Sequence, residues 1–310
     1  MAGKKLKFKG MQKKLKESWE RIPEHRRGKN CRYKVADAGQ AACGVFYMQA
    51  PSFLAHQRDM QRGKGRNNAG SLFEVERIPS DGQIRNLLDP VEPAHLREPF
   101  WEIYDELEKG GYLKRYRGVG NTRLIAVDGT QYFTSQKIHC ENCRVTVREE
   151  QVYYSHHVLL AVVCGYQQQQ VVCLDPEFMT PQDGHEKQDC EQQAIKRWVK
   201  RNAQRFSPWE VTVLADDLHS HQPVCELLLA HQLHFILTCK VKSHPTLYEE
   251  LELLQRVEGG ISTHSVRQWN GRFHERWVYH WAEHLPLRGD AKTLHVNWCD
   301  LTVIREETGE

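Results

Sequence analysis

The amino-acid sequence predicts an α/β protein in which helices flank a mixed sheet. Two short, β-branched apolar runs, residues 124–127 and 211–215, each end in an acidic residue, as buried central strands do at the rim of a sheet. Helical and strand patterns alternate between these runs and after them. Near the end of the chain, Asn270-Gly271 separates two alternating runs, which is a strong signal for a β-hairpin.

Length and composition are those of an ordinary globular protein. The chain has 310 residues, of which 40% are apolar and 27% charged, enough for two domains or for one large α/β domain with additions. The net charge of +3 hides a strongly basic stretch from Lys4 to Lys34. Such a stretch fits a polyanionic partner, nucleic acid first, because each neutralised phosphate releases counterions. A solvated helix face or tail is the alternative interpretation.

The N-terminus lacks the apolar core of a signal peptide, so we expect a reduced, cytoplasmic, nucleoid-associated protein. The longest apolar run, residues 158–164, is too short to span a bilayer, and no membrane role is indicated. Cys140 and Cys143 form a single CxxC next to His139. A zinc site there would need further ligands from a small number of Cys and His residues. Reduced thiols in a loop and in the core are the simpler interpretation. The candidate partners are Cys164, Cys173, Cys190, His156 and His157.

The first third of the chain is predicted to be helical. A basic amphipathic helix is expected over residues 4–22, an exposed loop at 61–68, a helix capped by Ser80, and a helix over 94–109. We therefore divide the sequence into a basic N-terminal arm (1–69), a helical DNA-binding region (70–120), the first part of a catalytic core (121–240) and a β-rich insertion (241–310).

The order of the predicted strands and helices within the core indicates a particular fold more clearly than any single element does. Strands are predicted at 124–127, 153–164 and 170–174, followed by a helix, a strand at 211–215, a helix at 222–231 and a strand at 234–238. This is the element order of a ribonuclease-H-like sheet, in which the first and fourth strands are neighbours. Asp128 and Asp216 follow those two strands, so we expect them side by side.

Two adjacent carboxylates without a buried basic partner repel each other, but they suit a hard divalent cation such as Mg²⁺. Asp128 precedes Gly-Thr, a sequence that turn chemistry alone also explains. Asp216 and Asp217 compete for the second position. We favour Asp216, with Asp217 as a helix cap or supporting acid, and both remain candidate metal ligands. His219 would lie near this site. The sequence has neither a GxSxG motif nor a GxxxxGK phosphate loop.

Several segments together resemble DDE-type insertion-sequence transposases, in the cut-and-paste group with a β-strand insertion in a ribonuclease-H-like domain. The segments are LIAVDGT, IHCENC, YYSHHVLLA, PEFMTPQDGHEKQDCEQQAIKRW and VLADDLHSHQP, and the resemblance covers roughly residues 70–310. It implies that Asp128 and Asp216 are the first two metal-binding carboxylates of the DDE motif. They would hold two Mg²⁺ ions, for which Mn²⁺ can substitute, and would activate water or a 3′-hydroxyl for attack on DNA. It also implies a homodimer acting on paired transposon ends.

The resemblance further implies a third acid, a Glu on a helix beyond the β-rich insertion. The sequence ends at Glu310 before such a helix, Glu226 lies on the wrong element and Glu306 follows a strand. We therefore expect a truncated copy with impaired catalysis. The alternatives are a stand-alone metal-dependent nuclease and a non-catalytic remnant that binds transposon ends. The side chains expected to contact DNA phosphates are Lys4, Lys5, Lys7, Lys13, Lys14, Arg26 and Arg27.

Overall fold

The computed structural model describes residues 7–28, 31–62, 69–75, 77–181 and 191–306. The chain divides into two compact units. One comprises Met1–Gly118 together with Leu160–Pro176, and the other comprises Val119–Leu159 together with Glu177–Glu310. None of the described helices combines the length and apolar character that a membrane span requires.

The first unit is built from helices packed around small side chains. Its helices are α1 (Phe8–Glu20), α2 (Val35–Tyr47), α3 (Phe53–Gln61), α4 (Asp81–Leu88) and α5 (Glu98–Lys109), with 3-10 turns at Pro93–Leu96 and Tyr112–Tyr116. Trp19 packs so closely on α2 that any side chain at Gly39 would overlap its indole ring. Ala38 and Leu87 are fully buried in the same core.

The helices predicted at 4–22, after Ser80 and at 94–109 are confirmed in outline. The Ser80 hydroxyl accepts a hydrogen bond from the Gln83 amide at 3.3 Å, which is the predicted cap. α2 and α3 were not predicted. α2 is rich in Ala and Gly and nine of its residues are buried, so it lacks the contrast between an apolar and a polar face on which sequence patterns depend.

The second unit contains most of a seven-stranded sheet, which is the predicted mixed sheet. Its strands are β1 (Arg123–Ser135), β2 (Arg144–Arg148), β3 (Gln151–Cys164), β4 (Val172–Cys173), β5 (Glu177–Met179), β6 (Val211–Ala215) and β7 (His234–Leu237). The order is β2-β3-β1-β6-β7, with β4 and β5 paired to β3. β1 and β6 run parallel, as do β6 and β7. The first and fourth predicted strands are therefore neighbours, as the ribonuclease-H-like element order requires.

Two details of the sheet differ from the sequence prediction. β1 does not stop at residue 127 but continues through Asp128 to Ser135, because its other neighbour, β3, is 14 residues long and supports the extension. The hairpin of β2 and β3 was also missed, and its turn at Glu149 and Glu150 adopts positive φ angles without a glycine. Asp128 thus lies inside a strand, at the point where β6 ends.

Helices and a second sheet complete this unit. The helices are α6 (Glu191–Asn202), α7 (Gln222–Ala230) and α8 (Pro245–Gln255), and the sheet is formed by β8 (Ser262–Trp269), β9 (His274–Pro286) and β10 (His295–Arg305) in the order β10-β9-β8. The predicted Asn-Gly turn is confirmed: Gly271 has a φ of 95°, and the Asn270 side chain accepts hydrogen bonds from two following amides. Residues 241–310, predicted to be β-rich, contain this sheet.

Candidate metal centre

The parallel pairing of β1 with β6 brings Asp128 and Asp216 to the same edge of the sheet. Ala126 lies opposite Leu214. Asp128 follows Ala126 by two residues within β1, and Asp216 follows Leu214 by two residues, immediately after β6. Both aspartates are exposed. The sequence prediction that the two acids lie on neighbouring strands agrees with this register.

The chain turns sharply after β6, and the turn determines where Asp216 points. The Asp216 carboxylate accepts a hydrogen bond from the Leu218 amide at 3.0 Å and so caps a 3-10 turn over Asp217–His219. The same turn buries His219 completely. The turn therefore places the exposed Asp216 carboxylate and the buried His219 imidazole just after the end of β6.

Glu191, the first residue of α6, is a third acid at this position. Its Oε1 accepts hydrogen bonds from the Gly129 amide at 3.0 Å and from His219 Nε2 at 2.9 Å. Ligand atoms of Glu191, Asp216 and His219 all lie within 4.8 Å of one another. Asp128 Oδ1 accepts from the same Gly129 amide at 3.0 Å. We refer to Asp128, Glu191 and Asp216 as the acidic cluster.

Asp128 and Glu191 accept hydrogen bonds from the same backbone amide, which limits the distance between their carboxylates. Because Asp128 Oδ1 and Glu191 Oε1 each lie 3.0 Å from the Gly129 nitrogen, the two oxygens are within about 6 Å of each other. A Cβ atom at position 129 would overlap the Glu191 carboxylate. The glycine after Asp128 is therefore required for the approach of Glu191, which is a different role from the turn chemistry considered for Asp-Gly-Thr.

The hydrogen bonds keep Glu191 charged. The bond from His219 holds the pKa of Glu191 below its ordinary value, and the Gly129 amide acts in the same direction, while burial opposes both. His219 Nδ1 is buried and has no hydrogen-bond partner among the described residues. Because a carboxylate accepts hydrogen bonds, His219 Nε2 is the donor in its bond to Glu191. Glu191 therefore lies close to both Asp128 and Asp216, and an oxygen-rich set of this kind matches Mg²⁺ or Mn²⁺.

Asp217, the alternative second ligand, is engaged elsewhere. It is buried, and its two carboxylate oxygens accept from the Lys240 amide at 2.6 Å and from the Ser243 hydroxyl. These bonds attach the turn after β6 to the segment that precedes α8. Of the two neighbouring aspartates, Asp216 has the exposed carboxylate and Asp217 holds the turn in place.

The basic side chains expected to contact DNA differ in whether an acidic side chain lies close to them. Lys13 pairs with Glu17 at 3.8 Å, Lys14 lies 3.8 Å from both Glu102 and Glu106, and Arg26 is bound to Glu24 at 2.6 Å. Lys7 and Arg27 are exposed. Lys4 and Lys5 lie outside the described residues. Lys14 and Arg26 are thus partly neutralised within the first unit.

Sequence reasoning nominated Asp128 and Asp216 and expected His219 near them, but it did not nominate Glu191. The residue stands at the start of a helix that was predicted, inside a segment that was singled out as characteristic. An acid in the first turn of a helix is ordinarily explained by the helix dipole, so its type and position alone gave no reason to select it. Its proximity to Gly129 and His219, 62 and 28 residues away along the chain, identifies it.

Comparisons with known proteins are sparse. No protein-family model matches the chain, and no curated protein matches it by sequence. Among solved structures, the chain is similar to the piggyBac transposase in its synaptic complex with hairpin DNA, with a TM-score of 0.36 and 12% identity over 96% of this chain. It spans 57% of that transposase chain. Strand order and the register of β1 with β6, rather than this similarity, define the fold described above.

Proposed function

We propose that the acidic cluster binds divalent metal ions and that the protein is a transposase, which cleaves and joins DNA strands at transposon ends. The observation that supports this proposal is the meeting of Glu191 with Asp216 beside Asp128, at the ends of two parallel central strands. Carboxylates at this edge are accessible from solvent, and Asp128 and Asp216 are exposed, so a DNA phosphate can approach them.

In this proposal Asp128, Glu191 and Asp216 hold the metal ions, with Mg²⁺ as the natural ion and Mn²⁺ as a substitute. Bound metal ions would lower the pKa of a nucleophilic water or 3′-hydroxyl and stabilise the leaving oxygen. The protein's own contribution is to hold the ligands in place. His219 and the Gly129 amide orient Glu191, and the capping bond to the Leu218 amide orients Asp216.

Glu191 also changes the expectation for catalysis. The resemblance to DDE transposases places the third acid on a helix after the β-rich insertion, and impaired catalysis was expected without it. We infer that Glu191 supplies the third carboxylate from α6 instead. The chain would then cut DNA as it stands.

The test is nicking of a supercoiled plasmid with Mg²⁺ or Mn²⁺, combined with Mn²⁺ binding followed by electron paramagnetic resonance. Asp128→Asn, Glu191→Gln and Asp216→Asn should each weaken Mn²⁺ binding and reduce nicking by about 100-fold or more, because each removes a charged ligand. Glu226→Gln is the matched control, since the Glu226 carboxylate accepts a bond from Gln222 on α7 and is not in the cluster.

Three results would contradict parts of the proposal. If Glu191→Gln behaves like the Glu226 control, Glu191 is not a ligand and the expectation of impaired catalysis stands. If the wild-type chain cuts plasmids with and without terminal inverted repeats equally well, the protein is a nuclease rather than a transposase. If it binds transposon ends without cutting them in either metal, it is a non-catalytic DNA-binding protein.

A further inference from the structure

A second group of metal-ligating side chains lies in the β1–β2–β3 region of the second unit. Cys140 and Cys143 occupy the connection between β1 and β2, and His156 lies on β3. The two sulphur atoms are 3.8 Å apart, and His156 Nε2 lies 3.4 Å from Cys140 Sγ and 3.3 Å from Cys143 Sγ. We refer to these three residues as the thiol cluster. It includes no residue of the acidic cluster.

The dimensions of the thiol cluster match a tetrahedral zinc site. A zinc ion bound at about 2.3 Å from sulphur and about 2.0–2.1 Å from nitrogen places two sulphur ligands about 3.8 Å apart and a sulphur and a nitrogen about 3.5 Å apart. The three observed distances agree with these values to within about 0.2 Å. We propose that Cys140, Cys143 and His156 bind a zinc ion, with water in the fourth position.

Local structure holds each ligand in place. The Cys143 amide donates to the Cys140 carbonyl at 3.2 Å, which closes the CxxC turn, and the Cys140 amide donates to Cys143 Sγ at 3.3 Å. An amide donor directed at sulphur stabilises the thiolate that a metal requires. Tyr132 stacks on the His156 ring at 5.8 Å, with 20° between the ring planes. This contact orients the imidazole with Nε2 towards both sulphurs.

Exposure also fits a bound cation. Cys140 is exposed and Cys143 is buried, so a metal ion can reach the thiol cluster from the Cys140 side.

The structure selects a histidine different from the one adjacent to the motif. His139 stacks on Tyr154 at 4.4 Å, and its Nδ1 lies 3.1 Å from the Lys137 carbonyl, so it is outside the thiol cluster. His156 is 13 residues beyond Cys143 and reaches the sulphurs because the β2–β3 hairpin folds β3 back beside the turn. Zinc would therefore tie the β1–β2 connection to β3.

The first experiment uses the full chain, purified under reducing conditions. Zinc content should be one ion per chain, and Co²⁺ added to the metal-free protein should give the thiolate-to-cobalt charge-transfer bands of a tetrahedral site. Cys140→Ser, Cys143→Ser and His156→Ala should each abolish both signals. Cys299→Ser and His264→Ala are matched controls at exposed positions and should retain them. Wild-type protein with far less than one zinc and no cobalt bands would overturn the proposal.

A second measurement needs no substitution and so does not depend on a variant that folds. Alkylation of the wild-type thiols is mapped by mass spectrometry with zinc and after chelation. Zinc should slow alkylation of Cys140 by about tenfold or more, because a bound thiolate is a poor nucleophile, while exposed Cys31 and Cys299 react equally in both states. Equal protection of all three, or a Cys140–Cys143 disulfide that forms equally with zinc present, would count against a zinc site.

Discussion

His219 Nε2 lies 2.9 Å from Glu191 Oε1, and this hydrogen bond joins the turn after β6 to the start of α6. His219 is fully buried, whereas the acids around it reach solvent. An imidazole whose N–H donates a hydrogen bond to a carboxylate can orient that carboxylate for a metal ion. His219 is therefore a positioning residue for Glu191.

Replacing His219 should weaken metal binding without removing a ligand. We expect His219→Leu to raise the dissociation constant for Mn²⁺ by about 10- to 100-fold, and His219→Gln, which keeps a donor, to recover part of that loss. Mn²⁺ titration monitored by electron paramagnetic resonance measures both variants. His264→Leu, at an exposed site on β8, serves as the control. Equal losses in the Leu and Gln variants would point to a packing role for His219 instead of a donor role.

Gly129→Ala should displace the Glu191 carboxylate, because the added methyl group would occupy its place. The φ angle of Gly129 is not positive, so backbone strain does not contribute. We expect Mn²⁺ affinity and plasmid nicking to fall together by about 10-fold or more, with little change in the melting temperature. Gly82→Ala on α4 is the matched control, since its Cβ would meet no atom within 4 Å. Unchanged Mn²⁺ affinity in Gly129→Ala would mean that Glu191 does not contribute to the metal site.

Asp217 should stabilise the second unit in a pH-dependent way. Burial raises the pKa of its carboxyl group, but the bonds from Ser243 and the Lys240 amide, together with nearby His244, outweigh burial and leave the pKa below its ordinary value of 3.8. The stabilising effect is therefore present above the ordinary value and is lost as the pH falls through the lower value of the folded protein. Asp217→Asn should cost about 1–3 kcal/mol at pH 7.

Urea unfolding of both proteins between pH 7 and pH 2.5 measures this dependence. The difference in the free energy of unfolding between wild type and Asp217→Asn should shrink below pH 4, because the wild-type carboxyl group then takes up a proton. Asp290→Asn is a control in the same unit, since Asp290 pairs with Arg288 at an exposed site where an ion pair is worth little. A difference that stays constant down to pH 2.5 would show that the charge of Asp217 is not what stabilises the turn.

The basic residues of the first unit should differ in how much they contribute to DNA binding, because acidic side chains already pair with some of them. Removing exposed Lys7 or Arg27 should weaken DNA binding and lower the slope of the logarithm of affinity against the logarithm of salt concentration by about 1 each, if each contacts one phosphate. Lys14→Ala should leave that slope unchanged, because Glu102 and Glu106 already balance its charge. Fluorescence anisotropy with an end-sequence duplex at several salt concentrations tests this, and an equal loss in Lys14→Ala would contradict it.

Sequence patterns correctly predicted the features that depend on residues close together in the chain. Ser80 capped its helix, Asn270-Gly271 formed the hairpin turn, and the β-branched runs before Asp128 and Asp216 became adjacent parallel strands. Strand length was less predictable. β1 continues eight residues past Val127 alongside a long neighbour, and none of the residues in this extension is buried, so no apolar alternation marks it in the sequence. α2 was missed because its small side chains are buried on nearly all sides.

The sequence by itself determined the α/β class, the adjacency of the strands that precede Asp128 and Asp216, and the placement of those two acids at one edge, because hydrophobic periodicity and strand succession are properties of short segments. Tertiary structure alone decided that Glu191 joins those acids, that Asp217 is used in a turn, and that His156 rather than His139 meets Cys140 and Cys143. Each of these contacts joins residues on different elements. Their distances depend on the packing of helices and hairpins onto the sheet, which no local pattern encodes.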